Sequence, residues 1–261
     1  MADNRPPAPQ TPLPPGFLGR PFAHRGLHDP QGGAVENSLP AIEAACAAGY
    51  GIEIDLQLSA DGVAMVFHDD DLARLTHEDG PVRARPATGL QAMALEGGDG
   101  ATIPTLAEAL ALVRGRAPLL IELKDQSGDL TATDGLLEDA TLRALDGYTG
   151  SLALMSFNPH MVAHLGRQAP QYPRGLTTDA FQRAHWPQVP PATRTHLSAL
   201  GDLGRVGASF ISHNHHSLDT PPVAEARAKG LNVLTWTIRS AKAEAVARKW
   251  ADAITFEGYL P

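Results

Sequence analysis

Short runs of strand-forming residues alternate with alanine-rich helical stretches along most of this chain of 261 residues. This alternation limits the choice of fold more than any other feature, because strands separated by helices form parallel sheets. Eight strands are predicted, and they begin near residues 22, 51, 119, 152, 173, 209, 233 and 253. Helices are predicted near residues 38–48, 105–114, 132–146, 158–168, 180–200, 219–229 and 240–250. Eight β/α units over about 240 residues match a TIM (β/α)8 barrel.

An extra strand at residues 63–67 follows the second strand after the turn Asp61-Gly62, which is typical of a hairpin. Residues 70–102 have the composition of loops. The predicted fold class is therefore α/β, a TIM (β/α)8 barrel with a small insertion after the second strand. A doubly wound open sheet is the alternative, but no glycine-rich dinucleotide-binding turn opens the chain.

The first 18 residues differ from the rest because six prolines precede Phe17. This composition predicts a disordered or extended lead-in over residues 1–18, followed by one barrel domain over residues 19–261. No apolar run approaches the roughly 18–20 residues of a membrane-spanning helix, and the N-terminus lacks the apolar centre of a signal peptide. Together with the single cysteine, Cys46, these features predict a cytoplasmic protein.

The charge balance excludes some classes of partner. There are 29 acidic and 21 basic residues, which give a formal charge of -8. A protein that binds duplex nucleic acid carries basic stripes, and none is visible here. A single cysteine also excludes a disulfide scaffold and a cysteine-rich zinc site. Eleven histidines and many carboxylates instead suit acid–base chemistry and oxygen-ligated metals.

The second predicted strand, residues 51–58, alternates strictly between apolar and polar residues. In a barrel the apolar face packs on the outer helices, so Glu53 and Asp55 point inward near the end of the strand. Two adjacent inward carboxylates repel each other unless a positive charge lies between them, and a divalent cation supplies that charge. The pattern is equally compatible with an edge strand whose carboxylates are solvated.

The third predicted strand repeats this arrangement, because Glu122 and Lys124 share one face at its end. Glu122 would add a third oxygen ligand, and Lys124 a fixed positive charge. Ligation by three carboxylates favours Mg²⁺ or Ca²⁺ over zinc. The alternative is an ordinary Glu–Lys ion pair at the rim.

Two histidines also follow predicted strands. His24 and Arg25 close the first strand, and His68 closes the hairpin strand. Two imidazoles at strand ends can serve as general base and general acid, and Arg25 can bind an anionic oxygen. A single histidine at a strand end is more often structural, so the combination with the carboxylates carries the prediction.

These motifs together resemble the glycerophosphodiester phosphodiesterase family. The resemblance runs from about Phe22 to the C-terminus and rests on five motifs, which are His24-Arg25-Gly26, Glu36-Asn37, residues 53–69, Glu122-Leu123-Lys124 and Trp236-Thr237. The family fold is a TIM barrel with a small insertion, in agreement with the strand count. Departures from the family pattern are Ser38 in place of Thr, Arg239 in place of the frequent Asn, and Glu257 in place of the commoner Asp.

The resemblance implies roles for particular residues. One divalent cation, Mg²⁺ or Ca²⁺, would be held by three carboxylates, and two histidines would act as general base and acid. The cation ligands implied are Glu53, Asp55 and Glu122, the catalytic residues His24 and His68, and the substrate-binding residues Arg25, Lys124 and Trp236. Trp236 would form an apolar wall, and the Glu36-Asn37 pair would orient the glycerol hydroxyls or His24.

The implied activity is metal-dependent hydrolysis of a small glycerophosphodiester to sn-glycerol 3-phosphate and an alcohol, through a cyclic phosphate. The identity of the alcohol, the order in which the histidines act and the oligomeric state stay open. Two alternatives are a phospholipase D-like hydrolysis of lysophospholipids, which needs an exposed apolar lip, and a non-catalytic barrel that binds sugar phosphates. The intact set of catalytic residues argues against the non-catalytic barrel.

Overall fold

The strands of the structure, a computed structural model that describes residues 10–29 and 32–261, lie where the aliphatic runs of the sequence predict them. Their bounds are β1 Phe22–Ala23, β2 Gly51–Leu58, β3 Ala64–Val66, β4 Leu119–Leu123, β5 Leu152–Ser156, β6 Arg174–Thr178, β7 Phe210–Asn214, β8 Asn232–Ile238 and β9 Ala253–Phe256. All pair in parallel except β3, which is antiparallel to β2.

The sheet closes on itself because β1 pairs with both β2 and β9. The predicted TIM barrel is therefore confirmed, with β3 appended as the hairpin strand. The α-helices are α1 Leu39–Ala48, α2 Ala87–Gln91, α3 Leu106–Val113, α4 Leu136–Ala144, α5 Pro159–Gln168, α6 Pro191–Ser198, α7 Leu203–Val206, α8 Pro221–Ala228 and α9 Ala241–Ala247. Within the described part of the chain, no helix is both long and apolar enough to cross a membrane.

The predicted helix over residues 180–200 was wrong in extent. Only α6 lies within this range, and the short α7 follows it. Pro187, Pro190 and Pro191 explain the difference, because a residue that precedes proline is disfavoured in the α conformation. Proline is tolerated in the first helical turn, so α6 begins at Pro191 and residues 180–190 form a loop.

Two apolar layers hold the barrel. The outward side chains of the strands pack against the helices in one large core, to which β2 contributes Ile52, Ile54 and Leu56. A second core fills the inside of the barrel, and it consists of Phe17, Phe22, Leu120, Ala153, Met155, Phe210, Leu234 and Ala253. The centre of the barrel is therefore packed, and space for a ligand remains only towards one end of the strands.

The insertion after β2 has a small core of its own. Its buried members include Phe67, Leu72, Val82, Leu90 and Ile103. Residues 70–102 are mostly irregular, as predicted, although they contain α2 and a 3-10 turn at Val82–Ala84. This core fixes the end of β3, the strand that His68 follows.

The predicted lead-in lies partly outside the described residues, because these begin at residue 10. Within residues 10–18, Phe17 starts a 3-10 turn, is 1% exposed and stacks on Phe22 with ring centroids 5.0 Å apart. Phe17, which lies within the predicted lead-in, thus belongs to the core inside the barrel.

The inside of the barrel leaves no room at Gly175 in β6. A Cβ atom at this position would lie 2.5 Å from the carbonyl oxygen of Phe210 and 2.6 Å from its ring. We expect Gly175→Ala to lower the free energy of unfolding by about 1–3 kcal/mol, the usual cost of overpacking, as measured by urea denaturation. Gly204→Ala in α7 is the control, because a Cβ there meets nothing within 4 Å. Equal stability of the two variants would contradict this account of the core.

Candidate active site

The predicted site residues converge at the end of the barrel to which the C-termini of the strands point. A cavity of about 210 Å³ lies there, and it is lined by His24, Arg25, Glu53, His68, Glu122, Lys124 and Trp236. Asp55, the remaining predicted residue, lies next to the cavity wall and contacts both Arg25 and Lys124. The structure therefore brings all eight predicted residues together.

Three carboxylates form a buried cluster on adjacent strands. Asp55 of β2 is directly opposite Glu122 of β4 in the strand register, and Glu53 precedes Asp55 on the same inward face. One oxygen of each carboxylate lies within 4.8 Å of an oxygen of the other two. Their exposures of 2%, 1% and 6% for Glu53, Asp55 and Glu122 exclude the alternative of a solvated edge strand.

Lys124 lies against this cluster. Its Nζ is 2.7 Å from Asp55 Oδ1 and 2.7 Å from Glu122 Oε1. Burial alone would lower the pKa of Lys124, but these two carboxylates raise that pKa above its ordinary value. Burial would likewise raise the pKa of Asp55, yet the charges of Lys124, His68 and Arg25 bring it below its usual range.

Among the described residues, Glu53 is the carboxylate of the cluster that has no direct cationic side-chain partner. Burial raises its pKa well above the ordinary value, and the neighbouring charges of Asp55 and Glu122 raise it further. One lysine and one arginine therefore do not fully compensate three buried carboxylates. The donor set is made only of carboxylate oxygens, which is the type that Mg²⁺ and Ca²⁺ prefer, so these residues fit a divalent cation.

The loop after β1 is held against the cluster by backbone and side-chain contacts. Arg25 donates its backbone N–H to Glu53 Oε2 at 3.0 Å, and its Nη1 donates to Glu36 Oε1 at 2.7 Å. Asn37 donates to Asp55 Oδ2 at 2.9 Å and accepts from the Asp55 backbone at 3.2 Å. Glu36 also binds Arg74. Glu36 and Asn37 thus position Arg25 and Asp55, and no contact of either with His24 is observed within the described chain.

Arg25 and Asn37 adopt the left-handed backbone conformation, with φ of 56° and 57°. This conformation is unfavourable for residues other than glycine and persists where surrounding contacts enforce it. Here the Asn37 N–H donates to the Arg25 carbonyl at 2.8 Å, in addition to the contacts with Glu53 and Asp55. The loop geometry therefore depends on the carboxylate cluster.

Each of the two predicted catalytic histidines is hydrogen-bonded to a carboxylate through Nδ1. His24 Nδ1 is hydrogen-bonded to Glu257 Oε2, and His68 Nδ1 lies 2.5 Å from Asp69 Oδ1. Each carboxylate thus engages one ring nitrogen and leaves Nε2 to act in the cavity that both rings line. Burial lowers the pKa of His24, although its hydrogen bond to Glu257 opposes the shift. A neutral imidazole is the form that can accept a proton.

An apolar wall stands on the other side of the cavity. Trp236 donates its Nε1–H to the Ser212 carbonyl at 2.9 Å, which fixes the indole. The ring of Phe157 meets that of Trp236 edge to face, with centroids 5.6 Å apart. Met155 completes this side of the lining.

Several lining or supporting residues were not among the predicted site residues. Glu257, Phe157, Arg239, His215 and His216 belong to this group. Each lies just after the end of β5, β7, β8 or β9. A position just after a strand was the reason for choosing His24 and His68, and the same reasoning would have found these residues. His213 is buried and bonded to Thr178 and Ser217, and the described residues contain no metal cluster besides the three carboxylates.

Two imidazoles, a cluster of buried carboxylates and nearby cationic side chains at the mouth of a TIM barrel define a hydrolase of phosphate esters. Residues 24–256 match the glycerophosphoryl diester phosphodiesterase family. The chain therefore belongs to this family of enzymes, as the sequence motifs predicted.

Relatives and solved structures agree. YhdW of Bacillus subtilis, assigned by name to the glycerophosphodiester phosphodiesterases, is 27% identical over 234 residues, which cover 86% of this chain and 88% of the relative. A glycerophosphodiester phosphodiesterase of Caldanaerobacter subterraneus is 29% identical over 59% of this chain and 65% of its own length. An Oleispira antarctica phosphodiesterase solved with its product, sn-glycerol 3-phosphate, aligns with a TM-score of 0.74 and 26% identity, covering 95% and 93% of the two chains.

Asn37 is expected to contribute measurably to stability, because its side chain supplies two hydrogen bonds to Asp55 and is 1% exposed. We expect Asn37→Ala to lower the free energy of unfolding by about 2 kcal/mol, since buried polar groups of Asp55 lose their partner. Asn232→Ala is the control, because its amide lies 3.5 Å from Asp252. Chemical denaturation measures both, and an Asn37→Ala loss no larger than that of the control would contradict the assigned role.

Proposed function

We propose that this protein hydrolyses glycerophosphodiesters to sn-glycerol 3-phosphate and an alcohol such as choline or ethanolamine. The observation that carries the proposal is the meeting of His24, His68 and the carboxylate cluster in one cavity. Membership of the phosphodiesterase family and the product complex of the Oleispira relative support it.

In the proposed reaction the glycerol 2-hydroxyl attacks phosphorus and the P–O bond to the alcohol breaks. One of the two imidazoles, His24 or His68, removes the proton of the attacking hydroxyl through Nε2, and the other donates a proton to the leaving oxygen. The product of this step is a cyclic phosphate, which water opens while the histidines exchange roles. An attacking group within the same molecule gives a large entropic advantage over one recruited from solvent.

The lowered pKa of the buried His24 keeps its imidazole neutral, which suits it to take the first proton. Glu257 on Nδ1 leaves Nε2 as the proton acceptor. Asp69 forms one contact with His68 and another with Arg74. Asp69 holds the His68 ring at the cavity, where it can donate a proton to the leaving oxygen.

Glu53, Asp55 and Glu122 would hold one divalent cation in this function. When bound, the cation neutralises charge on the phosphoryl oxygens and acidifies the attacking hydroxyl. Arg25 fits a role in phosphate binding because its guanidinium lines the cavity and is held in place by ion pairs with Asp55 and Glu36. Lys124 faces the same cavity, and Trp236 with Phe157 would flank the carbon skeleton of the substrate.

The lysophospholipid alternative would need an apolar lip around the cavity. The large apolar side chains that are exposed in the described chain are Leu136, Val246, Trp250 and Leu260, and none of them lines the cavity. This distribution favours a small, water-soluble diester as substrate. A cytoplasmic location stays a prediction from the sequence.

Activity tests the function directly. We expect the protein to release glycerol 3-phosphate from a panel of glycerophosphodiesters with choline, ethanolamine, glycerol or inositol as the alcohol, and EDTA to abolish release. His24→Ala and His68→Ala should each lower kcat by at least about 100-fold, because proton transfer by positioned groups contributes about 10²–10⁴-fold. A coupled assay of glycerol 3-phosphate measures the rates.

His77→Ala is the matched control for this experiment. His77 belongs to the same insertion as His68, but its side chain is 87% exposed and pairs with Glu96. Its rate should equal that of the unaltered protein. Turnover that does not depend on metal, or full activity in both catalytic-histidine variants, would exclude the proposed chemistry.

Cation binding is tested without turnover. Saturating Mg²⁺ or Ca²⁺ should raise Tm by about 5 °C or more, because a ligand at 100 times its Kd stabilises the folded state by about 2.7 kcal/mol. Glu122→Gln should lose most of this shift, while Glu43→Gln, which alters a carboxylate exposed on α1, should keep it. The same shift in both variants would show that the ion binds elsewhere.

A further inference from the structure

Three consecutive strand ends bring a chain of charged side chains together where the barrel closes. Ala23 of β1 is paired with Phe256 of β9, and Ile238 of β8 is paired with the same Phe256. The residue that follows β1 is His24, the residue that follows β9 is Glu257, and the residue that follows β8 is Arg239. Closure of the barrel therefore places the carboxylate between the imidazole and the guanidinium.

The two oxygens of Glu257 have different partners. Oε2 is hydrogen-bonded to His24 Nδ1, and Oε1 lies 2.7 Å from Arg239 Nε and 2.6 Å from Arg239 Nη2. His28 Nε2 approaches Oε2 at 3.6 Å from the loop after β1. The side chain of Glu257 is 18% exposed and does not line the cavity. It therefore reaches the cavity through the two lining residues that it holds, His24 and Arg239.

We infer that Glu257 is a positioning residue, which holds His24 in the tautomer and orientation that present Nε2 to the substrate, and that Arg239 in turn holds Glu257. A carboxylate that accepts the Nδ1 proton fixes that proton and leaves Nε2 free to accept another. Two nitrogens of Arg239 converge on Oε1, which holds that oxygen and leaves Oε2 for the imidazole of His24. This inference rests on the proposed function of His24.

The side chain at residue 257 is long enough to contact both His24 and Arg239. The resemblance noted in the sequence implies an aspartate and an asparagine at these two positions, where this chain has the longer Glu257 and Arg239. A longer carboxylate and a longer basic residue reach each other on neighbouring strand ends, as the contacts at 2.6 and 2.7 Å show. The two departures from the family pattern thus form one ion pair.

The experiment measures kcat and KM for glycerol 3-phosphate release. Glu257→Gln should lower kcat by about 100-fold with KM unchanged, because the amide no longer enforces one imidazole tautomer and positioned proton transfer is lost. Glu257→Asp keeps a carboxylate and should restore kcat to within about tenfold of the unaltered protein. Glu43→Gln, which removes the charge of another Arg-paired glutamate, should change neither constant.

A double-variant cycle tests the role of Arg239. Arg239→Met should lower kcat, and in the Glu257→Gln background it should cause no further loss of kcat, because Arg239 affects proton transfer through Glu257. A direct contact of Arg239 with the substrate, whose cavity it lines, would instead change KM. Additive losses in kcat would overturn this part of the inference. Equal losses in Glu257→Gln and Glu257→Asp, accompanied by a lower Tm, would assign Glu257 a structural role instead.

A second measurement needs no turnover. In ¹⁵N NMR of the histidine rings, the resonance of His24, identified by its loss in His24→Ala, should show a protonated Nδ1 and an unprotonated Nε2 at neutral pH. Glu257→Gln should shift it to a mixture of tautomers. A protonated Nε2 in the unaltered protein overturns the inference, whereas absence of glycerol 3-phosphate release contradicts the proposed function alone.

Discussion

The burial of three carboxylates side by side is the constraint on which the site depends. Two like charges about 4 Å apart repel by about 4 kcal/mol at an effective dielectric constant of 20. Lys124 offsets part of this repulsion by contacting Asp55 and Glu122, and Glu53 responds through a raised pKa. The loop after β1 is bound to the same cluster through Arg25 and Asn37. A dication would remove the remaining imbalance and stabilise loop and strands together.

The same alternation of side chains builds both the apolar interior and the polar mouth. Along the inward face of a strand, residues two positions apart occupy successive layers of the barrel. Phe22 lies in the inner core, and His24 lies one layer above it at the mouth. Leu120 and Glu122 are related in the same way on β4. The catalytic groups therefore stand on rigid strand ends whose lower residues are packed, which limits their movement.

The side-chain directions that follow from alternation along a strand could be predicted from the sequence. Contacts that form only because the barrel closes were missed. Strict alternation in β2 predicts that Glu53 and Asp55 point inward, and the parallel register of β2 and β4 then brings Glu122 to them. The bond between His24 and Glu257 joins residues 233 positions apart, which only the pairing of β1 with β9 brings together. It could have been predicted from the barrel itself, because a closed sheet makes its first and last strands neighbours.

The loops are less predictable for a different reason. The contact of Asn37 with Asp55 requires a left-handed backbone at Arg25 and at Asn37, which neither residue type favours by itself. Such a conformation is selected by the contacts it completes and has no local signature in the sequence. The loop before α6 is the opposite case, since Pro187, Pro190 and Pro191 stand in the sequence and disfavour a helix before residue 191.

A net charge of -8 is compatible with an anionic substrate because the charged residues that line the cavity differ in balance from the chain as a whole. Arg25, Lys124 and Arg239 line the cavity, and of the carboxylates in the described residues only Glu53 and Glu122 do so. Both of these belong to the cluster that fits a dication, so binding of the ion would make the field that a phosphate meets more positive. Phosphate affinity and cation affinity should therefore be coupled, each ligand strengthening the binding of the other.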